Sequence, residues 1–327
     1  MTPQIRAFYR ACAISDAAPP FDRITLKVFF PALAQDSAEE RNTGVIPADP
    51  SQAPFPVVVF MPGINLGLEG CSWLGMACAE RGMVAVTYSA VTEEMPGYVS
   101  LSPGLLLERL APQLYGSAPS CSTLQPILDE LKRLNEASVL AGLLDLDHIV
   151  LGGHSAGGTA ALVNANPDWF PGVCGVFSYA AHSGASVALG WPAETILPLP
   201  GKVPTLILGG DRDGVIAGSA HRYGRETGDA CSSIRRTFDE GAAESEAEVY
   251  LGILAGANHF SFAHGHDGTT GRAFLDWDEA RSGDEIRRDI SALVIDFIKV
   301  CARDDQDARA SLLALLSSDA MTEGRWR

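Results

Sequence analysis

No stretch of this 327-residue chain approaches the ~18 uninterrupted apolar residues that a membrane helix needs. The longest candidate, around Val139 to Leu144, runs straight into Asp145 and Asp147, so no spanning helix is expected. Runs of lysine or arginine are also missing. Basic residues number 24 against 40 acidic, a net charge of −16, and that field repels a nucleic-acid backbone or an anionic membrane surface. Nucleic acid is therefore not an expected partner. The N-terminal stretch holds a broken apolar run closed by Pro19-Pro20 rather than the continuous apolar core of a secretory signal. It reads as cytoplasmic, with a secreted mature form as the alternative. Seven cysteines are scattered with no C-x-x-C pair, which argues against a zinc site and against a full disulfide framework. Charged residues make up only 20% and hydrophobic ones 46%, excluding disordered and fibrous classes. The length suits one large domain.

Glycine is what the chain has in abundance, 33 residues, gathered where apolar runs stop: VVVFMPG, IVLGGHSAGG, TLILGGDRDG and GILAGANH. Those runs are short, rich in Val, Ile and Leu, and apolar on both alternations, as strands covered on both faces are. Central strands are expected near 56–61, 83–88, 147–152, 173–179, 203–209 and 247–254, with an alternating antiparallel edge at 22–31. Helices are expected over 71–81, 125–144, 156–166 and 284–302. Strand and helix in alternation predict a doubly wound, mostly parallel α/β sheet flanked by helices. The domain limits read as an extension over 1–21, a body over 22–302 and a helical tail over 303–327. Two insertions, 92–122 and 264–283, follow strand ends and are candidates for a lid or cleft. The first is apolar and supplies Leu101, Leu105, Leu106, Leu107 and Tyr115 as candidate pocket walls, with Trp191 or Trp277 at the mouth.

The sharpest chemical signal is Gly153-His154-Ser155-Ala156-Gly157, a G-x-S-x-G between a strand-like HIVL and a helix-like AGGTAALVNAN. A serine on such a turn is exposed at the top edge of a sheet, and Ser155 is the candidate nucleophile. Its hydroxyl needs a base, and the base an orienting acid. Asp213 is the preferred acid because it lies deeper in the loop after TLILGG than Asp211, the alternative. Asp211 then reads as a turn former. His259 is the preferred base, delivered after the last predicted strand and downstream of the acid. His154 and His148 read as structural, and His182 and His221 as surface or packing residues. In the His264-x-His266-Asp267 stretch alternate residues face one side, but no further ligand stands at a recognisable spacing, so no metal is expected. The backbone N–H groups of Ala156 and of Ile64, in the Met61-Pro62-Gly63-Ile64-Asn65 turn, are candidate oxyanion donors.

These motifs together, VVVFMPGIN, WLGMACAERGMVAVTYS, VLGGHSAGG, PTLILGGDRDGVI and GANHFSF, resemble the serine-hydrolase branch of the α/β-hydrolase superfamily over roughly residues 22–302. Within it the chain is similar to chlorophyllases, cutinase-like polyester hydrolases and platelet-activating-factor acetylhydrolases. The resemblance implies an α/β-hydrolase fold and a cofactor-free carboxylic ester hydrolase, with Ser155, Asp213 and His259 as triad and Ile64 and Ala156 as oxyanion hole. The apolar 92–122 segment favours a hydrophobic acyl or alcohol group. The polyester hydrolases carry an aromatic residue where Ile64 stands and a methionine where Ala156 stands, and dienelactone hydrolases carry a cysteine in place of Ser155. A thioesterase or acyltransferase with the same triad, or a ligand-binding protein on the same fold, are the alternatives.

Overall fold

Runs that are apolar at every position become interior strands because both faces of the sheet are covered. β3 (Phe55–Met61), β7 (Val173–Tyr179), β8 (Thr205–Gly210) and β9 (Val249–Leu254) follow this rule closely, and β6 (Leu144–His154) follows it from Ile149 onward, past a polar, partly exposed start. Every residue of β3, β8 and β9 is buried. The structure, a computed structural model, describes residues 4–15, 17–95, 97–265 and 267–327, with the side chains of residues 94 and 95 left aside. The remaining strands are β1 (Gln4–Ala13), β2 (Arg23–Ala32), β4 (Val84–Met95), β5 (Tyr98–Ser102) and β10 (Met321–Trp326).

They form a ten-stranded mixed sheet in the order β1-β2-β4-β3-β6-β7-β8-β9-β10, with β5 paired to β4. The run from β4 to β9 is parallel throughout. β2 and β10 run antiparallel to their parallel neighbours, and β1 antiparallel to β2. The helices are α1 (Ala38–Thr43), α2 (Ser72–Ala79), α3 (Leu124–Glu136), α4 (Ala156–Asn164), α5 (Gly214–Gly218), α6 (Ser232–Arg236), α7 (Gly283–Arg303) and α8 (Gln306–Leu316). One core lies between the sheet and α3 and α4, with Ile127, Leu131, Ala160 and Leu162 fully buried. The opposite core is sealed by α2, α7 and α8 through Leu74, Ile290, Phe297 and Leu312. This is the expected mostly parallel α/β architecture with helices on both faces.

Several local expectations are corrected. β2 is not the sheet edge, because residues 4–13, read as an extension, form a strand outside it over a full ten-residue register. The helical tail also carries β10, which adds an antiparallel strand to β9. The helix expected over 125–144 stops at Glu136. Ala137 leaves helical geometry, Ser138 Oγ donates to the Leu134 carbonyl at 2.6 Å, and Gly142 takes a positive φ of 72°. β4 extends past its predicted end and folds back through β5, so the first part of the 92–122 insertion is a hairpin. Among the described residues no helix is long and apolar enough to cross a membrane.

Candidate active site

At the end of β6 the chain turns sharply into α4, and Ser155 occupies the turn with φ 54° and ψ −125°. A positive φ in a residue with a side chain costs on the order of 1–3 kcal/mol and persists only where the surroundings enforce it. The enforcement is visible. Ser155 N–H donates to the Tyr179 carbonyl at 3.0 Å, and its own carbonyl accepts from Thr159 N–H at 3.0 Å. The flanking glycines allow the close approach: a Cβ on Gly153 would lie 2.3 Å from the Gly157 carbonyl oxygen, and one on Gly157 would lie 2.1 Å from that of Met61. Between residues 151 and 165 only Ser155, Ala156 and Thr159 reach the surface, so the elbow's open face is narrow.

The structure brings Ser155, His259 and Asp213 into one hydrogen-bonded chain. His259 Nε2 lies 3.0 Å from Ser155 Oγ, and His259 Nδ1 lies 2.8 Å from Asp213 Oδ2. A carboxylate accepts only, so Nδ1 carries the hydrogen and the Nε2 lone pair faces the serine hydroxyl. Asp213 is fully buried and His259 is 4% exposed. The other carboxylate oxygen, Oδ1, accepts from Ile216 N–H at 2.7 Å as the N-cap of α5. Asp211 is not in this chain. Its Oδ1 accepts from Gly256 N–H at 2.8 Å, so rather than forming a turn of its own it ties the loop of Asp213 to the turn leading to His259.

The chain matches no known family model and no curated protein sequence. The site's chemistry therefore rests on its geometry.

The turn after β3 lies against Ser155: a Cβ on Gly63 would stand 3.2 Å from Ser155 Cβ. Asn65 takes φ 59° and is pinned at both ends, its N–H donating to the Leu101 carbonyl at 2.9 Å and its Oδ1 accepting from Leu101 N–H at 3.1 Å. Ile64 N–H, just before it, has no acceptor among the described residues. Ala156 opens α4, and an amide in a helix's first turn has no intrahelical acceptor. The two expected oxyanion donors are thus carried on turns packed together beside Ser155.

The loop that carries His259 is held through its carbonyls. His154 Nε2 donates to the His259 carbonyl at 2.9 Å, Tyr179 Oη to that of Asn258 at 2.7 Å, and Trp73 Nε1 to that of Phe262 at 2.9 Å. His154, read as structural, buttresses the His259 backbone. Asp276 has no counterpart in the sequence reading. Its Oδ1 accepts from Gly214 N–H at 3.0 Å and His259 N–H at 3.3 Å, and its Oδ2 from Phe260 N–H at 3.2 Å. It therefore staples the loop of Asp213 to that of His259. Burial, and then the charge of Asp213, lift its carboxyl above the ordinary aspartate range. His182, read as a surface or packing residue, is buried.

The candidate wall residues separate. Leu101 flanks the Ile64 turn, and Trp277 lies beside Gly214 with its carbonyl accepting from Asn258 Nδ2 at 2.7 Å. Leu105 and Leu106 line a different cavity, about 690 Å³, whose lining includes Arg133 and Asp129 and none of Ser155, Asp213 or His259. Leu107 is exposed. Tyr115 Oη donates to the Pro198 carbonyl, and Trp191 Nε1 to that of Leu110, so both fasten loops. His148 pairs with Asp145 at 2.8 Å. His221 is exposed, and His266 lies outside the described residues. Among the described residues no group of three His, Cys, Asp or Glu side chains is placed to hold a metal.

Proposed function

We propose that this chain is a cofactor-free serine hydrolase of the α/β-hydrolase superfamily that cleaves carboxylic esters. The observation that carries the reading is the Asp213–His259–Ser155 hydrogen-bonded chain on a strained strand-to-helix turn. Its parts sit where ligand sites form in such sheets, outside the carboxyl ends of parallel strands: the nucleophile after β6, the acid after β8 and the base after β9.

The reaction follows from the tautomer. His259 Nε2 takes the hydroxyl proton as Ser155 Oγ attacks the ester carbonyl, and the charge that develops on the ring faces buried Asp213 across 2.8 Å. The carbonyl oxygen becomes an oxyanion held by the Ile64 and Ala156 amides, each such donor being worth about 3 kcal/mol when aligned. The intermediate collapses, the alkoxide leaves with the proton from His259, and an acyl group remains on Oγ. Water then attacks the acyl carbonyl, giving a proton to His259, which returns it to Ser155 as the acid departs. No step draws on a metal or redox group.

The test is hydrolysis of p-nitrophenyl esters by the wild-type protein and Ser155→Ala. The expected result is turnover by the wild type and a loss of about 10⁶-fold in the variant, with circular dichroism unchanged. A variant that keeps most of the activity overturns the assignment.

A further inference from the structure

The loop after β7 emerges between the loops that carry the nucleophile and the acid, because β7 pairs with β6 on one side and β8 on the other. His182 stands in this loop, three residues beyond Tyr179. Its surroundings hold it rigidly. The His182 carbonyl accepts from Thr159 Oγ1 at 3.0 Å; Thr159 is one of the accessible positions of the elbow, one helical turn or ~6 Å beyond Ser155. Ser183 N–H donates to Thr237 Oγ1 at 2.8 Å. The imidazole packs edge-on against Tyr223 at 4.6 Å between centroids and is only 7% exposed.

One ring nitrogen is accounted for. Nδ1 accepts from Gly184 N–H at 3.0 Å, so in the neutral ring the hydrogen sits on Nε2. Burial pushes the imidazole down to about 4, despite the opposing charge of Asp213, and the ring stays neutral with that hydrogen in place near neutral pH. Nε2 has no protein partner among the described residues, nor is it among the fully enclosed atoms without a partner. A buried donor left unpaired is costly, and the ring stands close enough to the triad to feel both Asp213 and His259, its own backbone carbonyl held by Thr159 of the elbow helix.

We infer that His182 is a specificity residue whose Nε2–H donates to a substrate oxygen outside the scissile group. The inference rests on the ester-hydrolase reading for the identity of that substrate. An uncharged donor gives an anion no ion pair and a cation no acceptor, so the matching group is a neutral oxygen: an ether, a hydroxyl or a second carbonyl. The favoured substrates are then oxygen-bearing esters rather than plain alkyl esters. A ligand without that oxygen buries the N–H unpaired, which is the means by which a polar site rejects an apolar isostere.

The test compares isosteric pairs: p-nitrophenyl ethoxyacetate against p-nitrophenyl pentanoate for the acyl side, and methoxyethyl butyrate against butyl butyrate for the alkoxy side. Each kcat/KM is divided by the rate of the same ester with hydroxide. The wild type is expected to favour the oxygenated member of at least one pair by about tenfold, and His182→Leu to bring that ratio close to one. Equal ratios in the wild type, or a preference that survives in His182→Leu, overturn the proposal. A readout independent of turnover uses Ser155→Ala labelled with ¹⁵N-histidine, in which the His182 Nε2 resonance should move with the oxygenated ester and not with its all-carbon partner. That movement without any ester turnover by the wild type would refute the hydrolase reading alone. Turnover with no preference and no movement would refute the role of His182 alone, and the absence of both would refute both.

Discussion

Asp276 offers the most exacting check on how the site is held. Its carboxylate accepts backbone N–H groups from Gly214, next to the acid, and from His259 and Phe260, at the base. Replacing it with alanine removes three hydrogen bonds and leaves the Gly214 and His259 amides without this acceptor, while Phe260 N–H keeps Asn258 Oδ1 at 3.1 Å. At about 1 kcal/mol for each bond, discounted because the residue is only half-buried and water can reach part of the gap, the loss is about 2 kcal/mol. Asparagine behaves differently. Its Oδ1 can still receive Gly214 and His259, while its NH₂ opposes Phe260 N–H. Removing the charge also relieves the repulsion from Asp213 that burial makes costly. The expected loss for Asp276→Asn is below about 1 kcal/mol. Because the staple joins the acid and base loops, Asp276→Ala should also lower kcat by at least about tenfold, as misplaced catalytic groups do. Urea unfolding at neutral pH and steady-state ester hydrolysis on the three proteins supply the numbers. An alanine variant with an unchanged unfolding midpoint and an unchanged kcat would refute the reasoning.

Two further outcomes follow from the same geometry. Asp213→Asn places an NH₂ group opposite His259 Nδ1, favours the wrong tautomer, and should lower kcat on the order of 10⁴-fold while leaving the fold intact; kinetics and circular dichroism check both parts. For His182, the native state refuses the proton that the unfolded chain accepts at the ordinary value of 6.5, since the buried ring lies at about 4. The stability this represents, about 3 kcal/mol, is complete above pH 6.5 and is lost as pH falls from 6.5 towards 4. In unfolding curves measured across that window, His182→Asn should show a shallower decline.

How far the sequence discloses this molecule depends on where the stabilisation lies. The buried strands were legible because their reason for being strands, burial on both faces, is written as uninterrupted Val, Ile and Leu. β1 and β10 were not. QIRAFYRACA, largely exposed, and MTEGRW, largely half-buried, lie at the sheet's edges and owe their form to ladder hydrogen bonds that leave no apolar signature. The overrun of α3 has a related cause: apolar spacing continues through Val139, Leu140 and Leu143, but those side chains pack in a turn that Ser138 and Gly142 close. At the site, the residues placed in one hydrogen-bonded chain were readable because elbow chemistry needs glycines at fixed offsets around Ser155, and because the acid and base follow successive strand ends. Asp276 was not readable, since it lies 17 residues past His259 in a polar loop with no local pattern. His182 had a faint signal, as a polar residue just beyond the carboxyl end of an apolar strand in FSYAAHSG.

That Ser155 is an activated nucleophile is tested by intact-protein mass spectrometry after reaction with a fluorophosphonate. The prediction is a single phosphonyl adduct on the wild-type protein, located on the peptide containing Ser155 and absent from Ser155→Ala. An unmodified, folded wild-type protein, or an adduct that persists in Ser155→Ala, would contradict it.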